Sequence, residues 1–484
     1  MTSTGKVVKN SIWLIIQPLV LNVISLFVIG YIARSLGQVD YGKFTFAFAF
    51  ISLFMPVINM GLGSLGTREI AEKRGASADF FWKLFVLRVF LASVAIAAVV
   101  LTVHILGYPA DTRLVVYIAG STLLFYSVTI TFHSAFQGFE MMQYIAYINF
   151  ISGCILTLLS VVVLFAGYRL IGLSLVYAFG SFLAMIMAIY YIKKIFPTPQ
   201  YKIDLIFWKN SLTQGFPFFL PGFFGMVSLK IGTILLSKLS GDAAVGVFGA
   251  ANSLIEKLLI IPDGVCTALF PTLAILYQQS RSEAGELFKR FHVYLFLMGL
   301  PMAVGTTLLA KPIITLIYGS GYQASITVLQ ILIWWLFLLF FNSLMGWSLG
   351  AVHQEKKVAR VSLISAGLYI VFNLLLIPYF GPIGAAAASV VSVIITVILL
   401  YRLIHQHIVS GVYKNSVYLK IVGANIVMGG ILMLLRQFNV ILSIIAGIVV
   451  YAITVVWWKI LSQDDLAAFY KEIIKREPKA IRVS

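Results

Sequence analysis

Charge is what this sequence has least of. Asp and Glu number only 17 in 484 residues, charged residues of both signs make up 11%, and 61% of the chain is hydrophobic. A water-soluble chain of this length would need a charged surface over two or three domains, so the composition makes lipid the solvent for most of it. Cysteine is nearly absent. Cys154 and Cys266 both sit inside apolar runs, which excludes a disulfide framework or a cysteine metal site and marks both as small core residues. The six His are scattered, with neither metal-ligand spacing nor a paired-carboxylate cluster, and no cofactor is implied. Strict polar and apolar alternation is missing as well: Val390 to Leu400 does not alternate, which excludes a transmembrane barrel.

Apolar runs of about 20 residues recur instead, the length a helix needs to cross a hydrocarbon layer of about 30 Å. They predict an all-α polytopic membrane protein with about fourteen spans: 12–33, 44–66, 84–106, 113–137, 143–167, 170–192, 212–237, 245–271, 291–310, 325–350, 358–380, 383–403, 417–435 and 439–459. Lys6 and Lys9 ahead of Ile12 to Ala33 resemble a secretory signal, but the run is too long for a signal core and repeats at once, so it is the first membrane helix. The net charge of +18 lies in the loops, which points to orientation rather than to nucleic acid. With the N-terminus cytoplasmic, only Arg34, Lys43, Arg113, Arg169, Lys238, Lys311 and Arg436 of the 35 Lys and Arg fall outside. Arg88, Lys230 and Lys257 fall within spans, and the rest lie on the inner side. That asymmetry predicts a multi-pass protein of the cell membrane with both termini cytoplasmic.

An internal repeat organises the chain. Leu36-Gly37, Tyr41-Gly42 and Ala47 recur 204 positions later as Leu239, Gly241, Val245-Gly246 and Ala251, and Gly138 with Ile171-Gly172 recur about 212 later as Gly350 and Ile383-Gly384. The period equals six helices, an even number, so the halves share one orientation and their axis runs along the membrane normal. The expected domains are a six-helix lobe over 1–195, a surface linker over 196–210, a second six-helix lobe over 211–408, a helix pair over 409–461 and a cytoplasmic tail over 462–484. In that tail Leu466, Phe469, Tyr470 and Ile473 at helical spacing, behind Ser462 and Asp465, suggest a short interfacial helix, against the plainer reading of a frayed basic tail.

The residues resemble the polysaccharide transporter branch of the multidrug, oligosaccharidyl-lipid and polysaccharide exporter superfamily, which includes O-antigen and teichuronic acid flippases. The resemblance covers helices one to twelve. It rests on Asn10-Ser11-Ile12-Trp13, on Ala33-Arg34-Ser35-Leu36-Gly37 followed by Asp40-Tyr41-Gly42, and on Gly61-Leu62-Gly63 leading into Thr67-Arg68-Glu69. In the second half it rests on Val245-Gly246-Val247-Phe248-Gly249-Ala250-Ala251 and Leu269-Phe270-Pro271. The resemblance implies a V-shaped pair of lobes around a central cavity, alternately open to each side, that moves a polyprenyl-pyrophosphate-linked oligosaccharide.

Charges within spans are the functional pointers, because an ionised side chain near the bilayer centre costs at least about 2.5 kcal/mol unless it faces a cavity or a partner. Lys230 is the first candidate: an ammonium there either holds a pyrophosphate or acidic sugar, or snorkels or pairs with an acid. Glu256 is either its counter-ion or a site for a coupling proton or sodium ion, and since neighbouring helical positions diverge by about 100°, Lys257 cannot share its direction. Asp263, behind Pro262, is a further acid that either joins the coupling or caps a kinked segment. Arg88 and Arg34 either line the cavity as phosphate-binding forks or anchor the interface. Arg68 with Glu69 follows the family's loop motif and suggests an intracellular gate. Gly61-Leu62-Gly63-Ser64-Leu65-Gly66 spells the dinucleotide fingerprint, but it closes a membrane helix with no strand before it, so close helix packing or a hinge is its role. Gly346 and Gly350, and the run from Gly381 to Ala388, suggest tight helix contacts. Asn22, Asn59, Asn149, Asn252 and Asn373 need partners at lipid depth and read mostly as structural glue.

Two other functions compete. A glycan polymerase or ligase would carry catalytic residues in a large external loop, and every external connection is under about 15 residues. A cation-coupled drug exporter of the same superfamily is the stronger rival, though such relatives usually have twelve helices. The partners expected are a lipid-linked oligosaccharide, membrane lipids, a coupling H+ or Na+ and polysaccharide assembly enzymes.

Overall fold

Hydrocarbon offers no hydrogen bonds to a peptide group, so a chain of this composition has to satisfy its backbone within each segment. The structure, a computed structural model, describes residues 3–72, 77–193, 195–196, 203–409, 415–435 and 439–460, and among these there are helices and no strand. They are α1 (Ser3–Ser52), α2 (Met55–Asn59), α3 (Leu62–Glu72), α4 (Ser77–Ile105), α5 (Ala110–Gly138), α6 (Met142–Phe165), α7 (Arg169–Ile192), α8 (Leu205–Ser240), α9 (Asp242–Leu258), α10 (Ile260–Gln279), α11 (Arg281–Tyr318), α12 (Ser325–Ala351), α13 (Glu355–His407), α14 (Asn415–Leu435) and α15 (Val440–Trp457). The expected tail helix around Leu466 to Ile473 lies outside the described residues.

Among the described residues, twelve stretches are long and apolar enough to cross a membrane. Two of them, Ile24–Glu72 and Glu355–His407, are 49 and 53 residues long, more than twice the span needed. Each is broken at a glycine, Gly37 (φ 76°, ψ 174°) and Gly381 (φ 52°, ψ −126°). Read as two crossings each, they match the fourteen spans expected from the sequence. Elsewhere the expected helices are subdivided. The span over 44–66 is interrupted twice, at Leu53–Phe54 and at Met60 and Gly61, which are left-handed at φ 41° and 71°. The span over 245–271 breaks between α9 and α10. The expected surface linker is shorter than 196–210, because α8 starts at Leu205, where the Asp204 side chain accepts from Phe207 N–H at 2.9 Å and caps the helix.

The internal repeat appears in the backbone itself. Gly241 (φ 83°, ψ 177°) has the same glycine-only conformation as Gly37, its counterpart 204 positions earlier. Around these turns α1 and α9 meet backbone to backbone, and the contact is reciprocal. A Cβ at Gly42 would collide with the carbonyl of Asp242, and a Cβ at Gly246 would collide with the carbonyl of Gln38. Asp242 and Gly246 are Gln38 and Gly42 carried forward by the same shift of 204.

The chain divides into two compact units: Met1–Ile260 with Ile314–Leu332 and Gln354–Leu399, and Ile261–Ile313 with Ile333–His353 and Leu400–Ser484. In the first, Ile70, Phe81, Phe132, Phe136, Ile148 and Ile192 form one buried cluster, and Leu62, Leu84, Leu87 and Leu91 form another against Phe207 and Trp208. In the second, Leu300 of α11 packs with Ile421 and Ala424 of α14 and Val455 of α15, while the Tyr451 hydroxyl donates to Leu297 O at 2.8 Å. Of the small residues singled out in the sequence, Ala385, Ala386 and Ala388 are buried. Gly346 has open space where a Cβ would be and Gly350 meets only Phe270 at 3.7 Å, so that pair makes no tight helix contact here. Cys266 is buried as expected, but Cys154 is exposed on α6. A thiol on a mostly apolar helix suits lipid as well as core.

Candidate functional site

The strongest charged constellation at membrane depth lies between α8 and α9. Lys230 is roughly 15 Å from the Ser240 end of α8, and Glu256 roughly 21 Å from the start of α9, at 1.5 Å per residue. Side chains lean toward the N-terminus of their own helix. Because these helices run antiparallel, Lys230 leans away from the shared turn and Glu256 toward it, which closes the difference. Lys230 Nζ donates to Glu256 Oε1 at 2.6 Å. Asn252, one turn earlier on α9, donates to the same oxygen at 2.7 Å. The Lys230 and Glu256 side chains remain 21% and 34% exposed. Lipid penalises an exposed charge at this depth, so the exposed side of the pair suits a polar cavity. Lys257 points elsewhere, as its 100° offset requires, and is in no ion pair among the described residues.

Next to Asn252, Ser253 Oγ is 2.7 Å from the Tyr318 hydroxyl. Tyr318 packs on Tyr322, whose hydroxyl donates to Ala33 O at 2.9 Å and whose ring meets Tyr41 edge-on at 6.2 Å. Tyr41, Tyr318 and Tyr322 are all buried. The Asn252 to Glu256 spacing of one turn was readable in the sequence. Tyr318 was not, since it lies far along the chain and nothing periodic leads to it.

Arg88 is 0% exposed and touches no carboxylate among the described residues. Its Nη1 donates to Ser134 Oγ at 3.3 Å and its Nη2 to Asn59 Oδ1 at 3.2 Å, while Nε has no partner. Asn59 Oδ1 also accepts from Gly63 N at 3.1 Å. The guanidinium therefore ties α4 and α5 to the break between α2 and α3, where a Cβ at Gly61 would come within 2.9 Å of the Gly215 Cα on α8. An interfacial anchor would show its head group, whereas that of Arg88 is wholly buried here. Gly61 thus packs closely on the α8 backbone, and Gly63 on the Asn59 side chain.

Arg34 is exposed, and its Nη2 donates to Leu316 O and, at 3.5 Å, to Thr315 O, capping the last turn of α11. Asp263 is exposed in the first turn of α10, and its carbonyl accepts from Thr267 Oγ1 at 2.7 Å. Arg68 is exposed and meets Glu69 at 4.0 Å and Glu72 at 3.9 Å, loose contacts on one helix. A tighter pair escaped the sequence: Lys83 Nζ lies 2.8 Å from Asp79 and 3.1 Å from Asp204. It fastens the start of α4 to the cap of α8. The Phe207 N–H first and Lys83 second hold the Asp204 carboxyl below its ordinary value of 3.8.

An all-helical body with many membrane-length stretches, an internal repeat and a charged pair within them is the architecture of a polytopic membrane protein. Residues 7–277 match the polysaccharide biosynthesis protein family and residues 217–375 the MatE family. The chain belongs to the polysaccharide biosynthesis protein family. A relative from Shigella dysenteriae named "Putative O-antigen transporter" is 24% identical over 373 residues, 75% of this chain and 89% of that one. Among solved structures, a lipid II flippase MurJ in an inward closed conformation shares the fold with a TM-score of 0.72 at 18% identity, covering 95% of this chain and 99% of that one. An inward-facing multidrug resistance MATE family transporter aligns with a TM-score of 0.63 at 16% identity over 81% and 98%.

Proposed function

We propose that the chain is a flippase that carries a polyprenyl-pyrophosphate-linked oligosaccharide across the cell membrane by alternating access, for cell-surface polysaccharide. The observation that carries this is the Lys230–Glu256 pair: a cation held at membrane depth, partly exposed and therefore reachable by an anion. The Shigella relative's name supports a glycolipid cargo. In this reading two six-helix lobes, 1–195 and 211–408, move about the repeat axis, with the termini cytoplasmic. Lys230 holds the pyrophosphate. Arg88 and Arg34 contribute once their contacts to Asn59, Ser134 and α11 open. Glu256 and Asp263 are the acids available for coupling to H+ or Na+, and Arg68 with Glu69 forms the inner gate. Polysaccharide assembly enzymes deliver and receive the cargo.

The test is transport in liposomes of a fluorescent polyprenyl-pyrophosphoryl oligosaccharide, read as exposure on the far leaflet. Movement that needs the protein and is lost in Lys230→Ala is the expected result. Movement unaffected by that substitution would keep the flippase and discard the site. The MatE match over 217–375 favours one second reading, a cation-coupled drug exporter. Export of a cationic dye on an ion gradient, with no glycolipid moved, would put that reading first.

A further inference from the structure

Lys230 in this structure is not an empty anion site. Its ammonium already donates to a carboxylate, and that carboxylate is fixed by a second donor, Asn252 Nδ2, on the same oxygen. Two N–H donors converging on one anionic oxygen at 2.6 and 2.7 Å is how a protein holds a phosphate oxygen as well. Asn252 is buried and its helix is locked against α1 through Gly246 and Gly249, so the carboxylate is presented from a rigid wall. Lys230 comes from the neighbouring helix, on a flexible stem. The fixed member of the pair is therefore the acid, and the mobile member is the base.

We infer that Glu256 is a built-in competitor for Lys230: it occupies the ammonium in the resting protein and is displaced only by an anion that binds the ammonium more strongly. This rests on the proposal that Lys230 receives the pyrophosphate. Its consequence is selectivity. A ligand bearing a single carboxylate, such as an acidic sugar, offers Lys230 no more than Glu256 already does. A pyrophosphate, with two charged phosphates, offers more. The competitor thus sets a threshold that passes the diphosphate head group of a lipid carrier and holds back head groups of lower charge, a monophosphate or a single carboxylate. It also keeps the ammonium neutralised at membrane depth while no cargo is bound.

The experiment measures binding of two soluble probes, farnesyl pyrophosphate and farnesyl monophosphate, to the full purified chain by calorimetry. Melting of each variant in the same detergent is recorded alongside. Wild type should bind the pyrophosphate and discriminate against the monophosphate. Glu256→Gln keeps the shape and an oxygen for Asn252 but removes the charge. It should bind both probes more tightly, by about tenfold or more, the size of one charge-assisted hydrogen bond, so that the monophosphate rises above the threshold as well. Asn252→Ala, which only loosens the carboxylate, should shift binding the same way by less. Lys230→Gln should lose binding, and adding Glu256→Gln to it should restore none. Equal or weaker pyrophosphate binding by a normally melting Glu256→Gln would overturn the competitor while leaving the flippase reading intact. Binding of neither probe by any variant would overturn both.

Discussion

Gly42 and Gly246 make the sharpest claim the structure offers, because each is required by the carbonyl that its counterpart's half contributes. A methyl at Gly42 would stand 2.7 Å from the Asp242 carbonyl carbon and 3.0 Å from Gly246 N, and one at Gly246 would stand 2.9 Å from the Gln38 carbonyl carbon. Ordinary carbon contacts are about 3.5–4.0 Å, so α1 and α9 must part by roughly 1 Å to admit either methyl. The obstacle in each case is backbone, which cannot turn aside. Overpacking of this kind costs about 1–3 kcal/mol. Since one separation relieves both collisions, Gly42→Ala and Gly246→Ala should each lower the melting temperature in detergent, and the double variant should lose less than the two losses combined. Gly225→Ala is the control: nothing lies within 4 Å of its Cβ, and alanine is the better helix former. Melting of Gly42→Ala indistinguishable from Gly225→Ala, or strict additivity in the double variant, would refute the reciprocal contact.

Lys230→Met should destabilise by about 1–2 kcal/mol, less than a fully buried pair would because both groups are partly exposed, and Lys230→Met with Glu256→Met should recover most of it. Thermal melting of the two variants beside wild type decides this. Asn59→Asp keeps both of the acceptor contacts to Gly63 and Arg88 and gives Arg88 the counter-charge it lacks, so melting should rise. Arg88→Lys cannot bridge Asn59 and Ser134 at once and should cost about 1–3 kcal/mol. Asp204 titrates below its ordinary value, so its contribution is present above the unfolded value and fades as pH falls through the folded one. Hydrogen exchange at the start of α8 should be faster in Asp204→Asn than in wild type at neutral pH, and the two should converge below about pH 4.

How far the sequence carried the fold depended on whether a feature left a mark in hydropathy. Apolar run length located the crossings, and the Leu36-Gly37 and Tyr41-Gly42 repeat led to the Gly37 and Gly241 turns and the reciprocal glycines. The interruptions of the second span left no such mark, because Leu53, Phe54, Met60 and Gly61 are as apolar as the helix around them. The signals present were Pro56 and Asn59 beside Gly61, a proline, a backbone-seeking amide and a left-handed residue in a row. Which face of a span is buried was equally hidden. In water the core face is apolar and the outer face polar, but in lipid both are apolar. Exposed Cys154 and the open Gly346 could not have been told from core residues by pattern.

The charged residues behaved differently from one another for a physical reason. Lys230 and Glu256 were legible as a pair, because an isolated charge in hydrocarbon demands a partner and helical rise puts them at similar depth. Arg88 obeyed the same demand without a carboxylate, meeting it with the neutral oxygens of Asn59 and Ser134. Depth along a helix can be counted from sequence, but neutral acceptors are too many and too weakly marked for the same count to select them. Lys83, little more than a turn earlier on the same helix, takes the opposite fate: it reaches Asp79 and Asp204 near the start of α4, while Arg88 turns wholly inward. A single turn of α4 thus separates a charge paired at the rim from a charge spent on holding a broken helix. Lys230 remains partly exposed where Arg88 is not, which is what the proposed exchange of partner requires.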